Sequence, residues 1–325
     1  MPRRPDDNPR KYRSPAEHNV HFEDVKMPCA DGVHIHGWLM LRTPAPNNPL
    51  PTLIYFHGNA GNIGLRIPNA LQMMQYLNVN ILMVEYRGYG NSDSVSPSEA
   101  GLKLDGRAAL DFVLKHPNLN KDKIFLFGLA FSLAEYAQQQ QKQAVAGVII
   151  ENSFMSISAM VDHLMPIVAP LKGLILKMKW DNEVIVPKLQ CPVLYLAGAA
   201  DELVPHQHML TLHRLSTQSK LNKLHIVPAG THNDTWVKGG AEYFAAVKSF
   251  LAGAIEANSK FPMGGATLGG SSTAAVTSST VSDMTQDSSG ATTIPTMSNG
   301  LFGMVKDAVN KDGIKKGGES GKKEL

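Results

Sequence analysis

Apolar residues in this chain come in short, dense runs. Thr52–Phe56, Val79–Val84, Lys123–Phe127, Val145–Ile150 and Val193–Leu196 are of this kind, and Lys223–Val227 is a weaker sixth. Such runs suit strands covered on both faces, as in a parallel sheet. Upstream, Asp24–Pro28 and Val33–Leu41 alternate apolar with other residues around Asp31-Gly32. That pattern predicts an antiparallel hairpin. Helical spacing covers Ala100–Leu114, Met209–Leu215 and Ala241–Leu251. Strands alternating with helices predict an α/β fold: a mostly parallel, twisted sheet with helices on both faces. Phe154–Lys179 interrupts the alternation. It is rich in Met and Leu and holds Pro166 and Pro170. It predicts a small helical cap, about 154–180, over the C-terminal edge of the sheet, with a plain packing pair of helices as the alternative.

The same pattern divides the chain. Residues 1–18 are polar and proline-rich and read as an extended N-terminal arm. Residues 19–253 form the folded domain. Residues 254–325 turn to Ser, Thr, Gly and Ala, too little apolar surface to offset chain entropy, so a disordered tail is expected. Within it, Leu301–Val309 is a short amphipathic piece.

Composition narrows the function. At 43% hydrophobic and 18% charged residues, the 325-residue chain is globular. A net charge of +3 gives no argument for nucleic acid. The two cysteines, Cys29 and Cys191, are far apart and form no metal or disulfide pattern. No metal or cofactor is implied. No run is long and apolar enough to span a membrane, and the N-terminus has no secretory h-region, so a cytoplasmic location is expected.

The chemistry lies in loops after strands, where open α/β sheets build their sites. His57-Gly-Asn-Ala-Gly-Asn62 follows a strand directly, and its glycines can turn backbone N–H groups toward a cavity. Asn59 would supply one such donor to an oxyanion. An ordinary strand-to-helix turn is the plainer reading. Arg87, in Glu85–Ser92, reads as a fold-holding ion pair. Asp201 follows the strand ending at Leu196, in the place of an acid that orients a histidine. His232 follows the last strand, just ahead of a helix. His206 and His208 flank a helix start and read as solvated. The order nucleophile, acid, histidine is that of hydrolases with this sheet.

The nucleophile should stand on a sharp turn after Lys123–Phe127, in a Gly-x-Ser-x-Gly pattern. The chain reads Gly128-Leu-Ala-Phe-Ser-Leu133. Ala130 occupies the nucleophile position, and a methyl group cannot attack a carbonyl. Ser132 is the fallback. Two residues along a helix is a rotation of about 200°, which turns Ser132 away from His232 and makes it a packing or capping residue.

With these loops placed, the chain resembles the family of α/β-hydrolase domain-containing protein 13 and bud emergence protein 46, close to the serine aminopeptidase-like hydrolases. The likeness rests on Tyr55-Phe-His-Gly-Asn-Ala-Gly-Asn-Ile-Gly64, Tyr86-Arg-Gly-Tyr-Gly-Asn-Ser92, Glu151-Asn-Ser-Phe154, Asp201-Glu-Leu-Val-Pro205 and Gly230-Thr-His-Asn-Asp-Thr-Trp236. The resemblance implies an α/β-hydrolase fold and a serine hydrolase of esters, thioesters or amides, with protein depalmitoylation one candidate activity. Its substrate would be a small acyl compound or an acylated protein. It carries the acid onto Asp201, the histidine onto His232 and the oxyanion donors onto Asn59 and Phe131. Members resemble Gly-Arg-Ser-Leu-Gly-Gly at the elbow, from which this chain departs. They typically carry an N-terminal membrane helix, so membrane association is a further expectation of the resemblance.

Two functions follow. One is a serine hydrolase by descent, impaired by Ala130 or rearranged to use Ser132. The other is a non-catalytic hydrolase-fold protein that binds a ligand or partner in its cleft.

Overall fold

The computed structural model describes residues 4–43, 48–128, 130–140, 145–167 and 169–260. Its centre is an eight-stranded sheet in the order β1-β2-β4-β3-β5-β6-β7-β8. The strands are β1 Phe22–Pro28, β2 His34–Met40, β3 Thr52–Phe56, β4 Asn80–Glu85, β5 Ile124–Gly128, β6 Gly147–Glu151, β7 Val193–Gly198 and β8 Asn222–Val227. β1 and β2 form the expected antiparallel hairpin, and β2 joins β4 antiparallel. All remaining pairings are parallel. The weak run at 223–227 is a true edge strand paired along β7. Its alternation is blunted because little covers its outer side.

The helices are α1 Ile67–Leu77, α2 Glu99–Lys115, α3 Phe131–Gln139, α4 Ile157–Leu164, α5 Lys172–Ile175, α6 Asn182–Ile185, α7 Gln207–Leu215 and α8 Thr235–Lys260. One apolar layer joins the sheet to α1 and α8 through Ala70, Met73, Tyr243, Phe244 and Val247. The opposite layer joins it to α2, α3 and α7 through Ala109, Leu133, Ala134, Met209 and Leu212. Helix α1 was not apparent in the sequence pattern because Pro68 interrupts it. Proline there falls in the first helical turn, where a missing N–H leaves no bond unmade.

Chain direction reverses beside β3: the path moves from β3 to β4 on one side, then crosses to β5 on the other. The loops after β3 and β5 therefore meet at the switch point of the sheet, with Phe56 opposite Gly128.

Two boundaries need correction. The N-terminal arm is not extended. Residues 4–19 form 3-10 turns at Pro5–Asp7 and Pro15–His18 that pack on the domain. Asn8 and Asn62 exchange side-chain hydrogen bonds at 2.8 and 3.0 Å, which ties the arm to the loop after β3. Gly64 lies so close to the Tyr12 carbonyl that any Cβ would collide with it. At the other end the domain does not stop at 253. Residues 254–260 continue α8, where Ala254 is buried and Asn258 donates to the Ala146 carbonyl at 2.8 Å. The rest of the expected tail, from 261 on, with Leu301–Val309, lies outside the described residues.

The segment expected to cap the sheet holds α4, a 3-10 turn at Ala169–Leu171 and α5. Phe154, Ile157, Met160, Val161 and Trp180 give it a small core of its own with Val204. No described helix is long and apolar enough to cross a membrane.

Candidate active site

At the end of β7 the chain turns, and Asp201 is almost fully enclosed there. Its Oδ1 accepts the backbone N–H groups of Leu203 and Val204, each at 2.8 Å. Those bonds fix the carboxylate and leave Oδ2 for His232 Nδ1, 2.9 Å away. A carboxylate only accepts, so Nδ1 carries the hydrogen of this bond, and in the neutral ring Nε2 is the bare nitrogen. His232 remains 23% exposed, so the Asp201–His232 pair is in contact with solvent on the histidine side only. The sequence placed these two residues together, and the structure does so too.

The histidine loop is held from beneath by Asn152, at the end of β6. Its Nδ2 donates to the carbonyls of Thr231 and His232 and to Thr235 Oγ1, at 3.1, 3.2 and 2.8 Å. Its Oδ1 accepts from Gly198 N–H at 2.8 Å. One side chain thus joins the ends of β6 and β7 to the loop that carries His232. Asn152 has φ +44, a left-handed conformation that asparagine tolerates better than most residues. Sequence reasoning gave this residue no role. The signal available was an asparagine directly after a buried strand.

Glu151, just before it, is half-buried and accepts a hydrogen bond from the Tyr243 hydroxyl. Burial pushes its carboxyl up to about 7, while Tyr243, His232 and the Arg66 guanidinium pull the other way. The sequence did not show a partly buried acid near the histidine, because a glutamate ending a strand is ordinarily solvated.

After β3, His57 and Asn59 line a cavity of about 200 Å³. Asn59 is positioned by Tyr89, whose hydroxyl donates to its Oδ1 at 2.5 Å. His57 Nδ1 lies 2.6 Å from the Gly58 carbonyl, so it carries the proton and Nε2 is the bare nitrogen. Burial, with the nearby Arg66 guanidinium, pushes His57 down to about 4, and the ring is neutral at physiological pH. Arg87 forms the structural ion pair expected of it. It reaches Asp105 at 2.8 Å and Asp31 at 2.6 Å, tying α2 to the β1–β2 hairpin.

The turn after β5 places the remaining candidates. Gly128 has φ +99, and a Cβ on it would strike the Phe56 carbonyl oxygen, so glycine alone fits. Ala130 is fully buried and stands as the N-cap of α3, with no side-chain acceptor to offer the helix. Its φ of −110° and ψ of −7° are ordinary, not those of a strained elbow. The Phe131 ring packs 6.2 Å from Tyr195 in the core. Its amide lies in the first turn of α3, where N–H groups have no partner within the helix.

Ser132 is neither cap nor core. It lines the cavity beside His57, Asn59 and Tyr136. Among the described residues no hydrogen bond joins it to His232, and neither Asp201 nor His232 is part of the cavity wall. His208 is half-buried rather than solvated, and its Nδ1 accepts from Met155 N–H at 3.3 Å. No group of His, Cys, Asp and Glu side chains converges on a metal-sized point among the described residues.

Comparison with known proteins adds the ancestry. The protein bem46 of Schizosaccharomyces pombe is 37% identical over 244 residues, covering 74% of this chain and 79% of the relative. The chain belongs to the bem46 family. A second relative, the α/β-hydrolase domain-containing protein WAV2 of Arabidopsis thaliana, is 31% identical over 252 residues and covers 73% and 81% of the two chains. No family model matches the chain. Among solved structures, the Pyrococcus furiosus esterase Pf2001 superposes with a TM-score of 0.59 at 15% identity, over 74% of this chain and 96% of the esterase. That likeness shows the α/β-hydrolase fold. For a bem46-family sheet, the loops after β3, β5, β7 and β8 are the ones just described.

Proposed function

We propose that this protein is a serine-type acyl hydrolase by descent, built for ester, thioester or amide bonds, whose turnover is impaired by Ala130. The observation that carries the reading is the 2.9 Å contact between Asp201 Oδ2 and His232 Nδ1, with the histidine loop held by Asn152, in a chain whose turn after β5 carries Ala130. In the intact arrangement His232 Nε2 would take the nucleophile's proton. Asp201 would hold the imidazole and stabilise its charged form, and N–H groups of Asn59 and Phe131 would face the oxyanion. With the nucleophile absent, roughly 10³–10⁴-fold over water can remain from the other parts. An acylated protein is one substrate this reading admits.

A second reading, a binding protein without turnover, is favoured by the cavity itself. It is formed between the loop after β3, α2, α3 and the cap, to one side of the acid–histidine pair. Ser132 faces that cavity, which favours it as a stand-in nucleophile. Its lack of a hydrogen bond to His232 weighs against this.

Hydrolysis of p-nitrophenyl butyrate separates the readings. The parent is expected to turn over well below the usual enzyme range of about 1–10³ s⁻¹. Ala130→Ser should raise the rate at least about tenfold, and adding His232→Ala should remove the gain. A parent rate of ordinary size that His232→Ala abolishes would contradict the proposal.

A further inference from the structure

The cavity beside Ser132 has a lining that the hydrolase reading leaves unused. Its apolar wall comes from Phe56, Tyr86, Leu102, Leu133, Ile157 and Met178. Set into that wall are the cationic side chains Lys103, Arg107 and Lys177. Among the described lining residues, Glu99 is the one carboxylate, and it is fully engaged. Its Oε1 takes Lys103 Nζ at 2.7 Å, and its Oε2 takes the backbone N–H groups of Lys179 and Trp180 at 2.7 and 3.3 Å. Burial alone would raise the Glu99 carboxyl, but Lys103 and those backbone donors outweigh it and hold it below its usual range. Glu99 therefore stays ionised, neutralises Lys103 and pins the end of the cap over the cavity.

Arg107 is in a different position. Its guanidinium lies over the Tyr136 ring, 4.1 Å from the centroid. Stacking covers one face of the group and leaves its in-plane N–H fork unused. No carboxylate pairs with Arg107 among the described residues. A half-buried cation in a largely apolar wall is costly without an anion. Trp180 supplies a neighbouring aromatic surface. It lines the same cavity, is 7% exposed, and its indole N–H is buried without a hydrogen-bond partner.

We infer that this cavity binds an anionic amphiphile, a short or medium apolar chain bearing a carboxylate or phosphate, with the anion on Arg107. The chain would lie along Leu102, Leu133, Ile157 and Met178, toward Ser132 and Asn59. For the proposed hydrolase this makes the substrate an acyl compound with an anionic group of its own. The inference rests on the hydrolase reading for the acyl nature of that substrate, but not on turnover.

Direct binding tests it, read by Trp180 fluorescence in the full chain, with Trp180→Phe as the signal control. The probes are octanoate, octyl phosphate, 1-octanol, acetate and inorganic phosphate. Octanoate or octyl phosphate should bind at least about tenfold more tightly than octanol, the size expected of a charge-assisted hydrogen bond. Whichever binds better names the head group. Arg107→Gln should remove the preference of octanoate or octyl phosphate over octanol, and Arg107→Lys should keep most of it. Equal binding of octanol and octanoate, or a preference that survives Arg107→Gln, would overturn the inference. So would acetate or inorganic phosphate binding as tightly as the octyl compounds, which marks a simple anion site. Anion-selective binding with no hydrolysis in any variant would remove the catalytic reading and leave this one standing. Ester hydrolysis gained by Ala130→Ser without anion selectivity would do the reverse.

Discussion

Glu151 is a carboxylate whose environment departs far from what its type suggests. An unfolded chain gives this carboxyl a pKa near 4.5, while burial lifts it to about 7 in the fold. The native state therefore keeps the proton to higher pH than the unfolded state. Stability from this group is fully present below about 4.5 and is lost as pH rises through about 7. Glu151→Gln keeps the shape and removes the titration. Relative to the parent, the variant should gain stability between pH 5 and pH 8, on the order of a few kcal/mol. Urea denaturation at both values checks this, and an unchanged difference between parent and variant would contradict it. Arg87 was legible at this scale, since an arginine in a Gly-rich turn after a buried strand needs a carboxylate. Glu151 was not, because its burial comes from Tyr243 on α8, 92 residues away.

At the scale of elements, the hairpin, the parallel strands and the helices α2, α7 and the core of α8 could be read from periodicity. So could the loops carrying Asn59, Asp201 and His232, because strand ends mark them. The links between those loops could not. Asn152 joins them through side-chain bonds to groups 46 to 83 residues distant, and local pattern carries no trace of such distances. The arm was misread for the same reason, since Asn8 is held against the domain by Asn62, 54 residues away. The orientation of Ser132 turned on whether Ala130 adopts a strained elbow, which its relaxed backbone does not. Asn152→Ala strands the Gly198 N–H and frees two carbonyls. At about 1 kcal/mol per lost bond it should cost about 2–4 kcal/mol. Amide hydrogen exchange should rise at residues 231–235 while the sheet core is unchanged. Exchange that stays protected there would show that Asn152 does not hold the histidine loop.

At the scale of the molecule, the switch point of the sheet brings the loops after β3 and β5 together, and the cap closes one side of the resulting space. The bem46-family scaffold thus keeps a cavity, an oriented histidine and candidate oxyanion donors. The proposed reading turns on the turn after β5, where Ala130 stands in the nucleophile's place. A fluorophosphonate tests that statement most directly, because it reports a serine activated by its surroundings and stays attached to it. The parent should not be labelled, and neither should Ser132→Ala. Ala130→Ser should be labelled, with the adduct on residue 130 by peptide mass spectrometry and lost when His232 is replaced by alanine. Labelling of the parent that maps to Ser132 and vanishes in Ser132→Ala would contradict the account and make Ser132 the nucleophile.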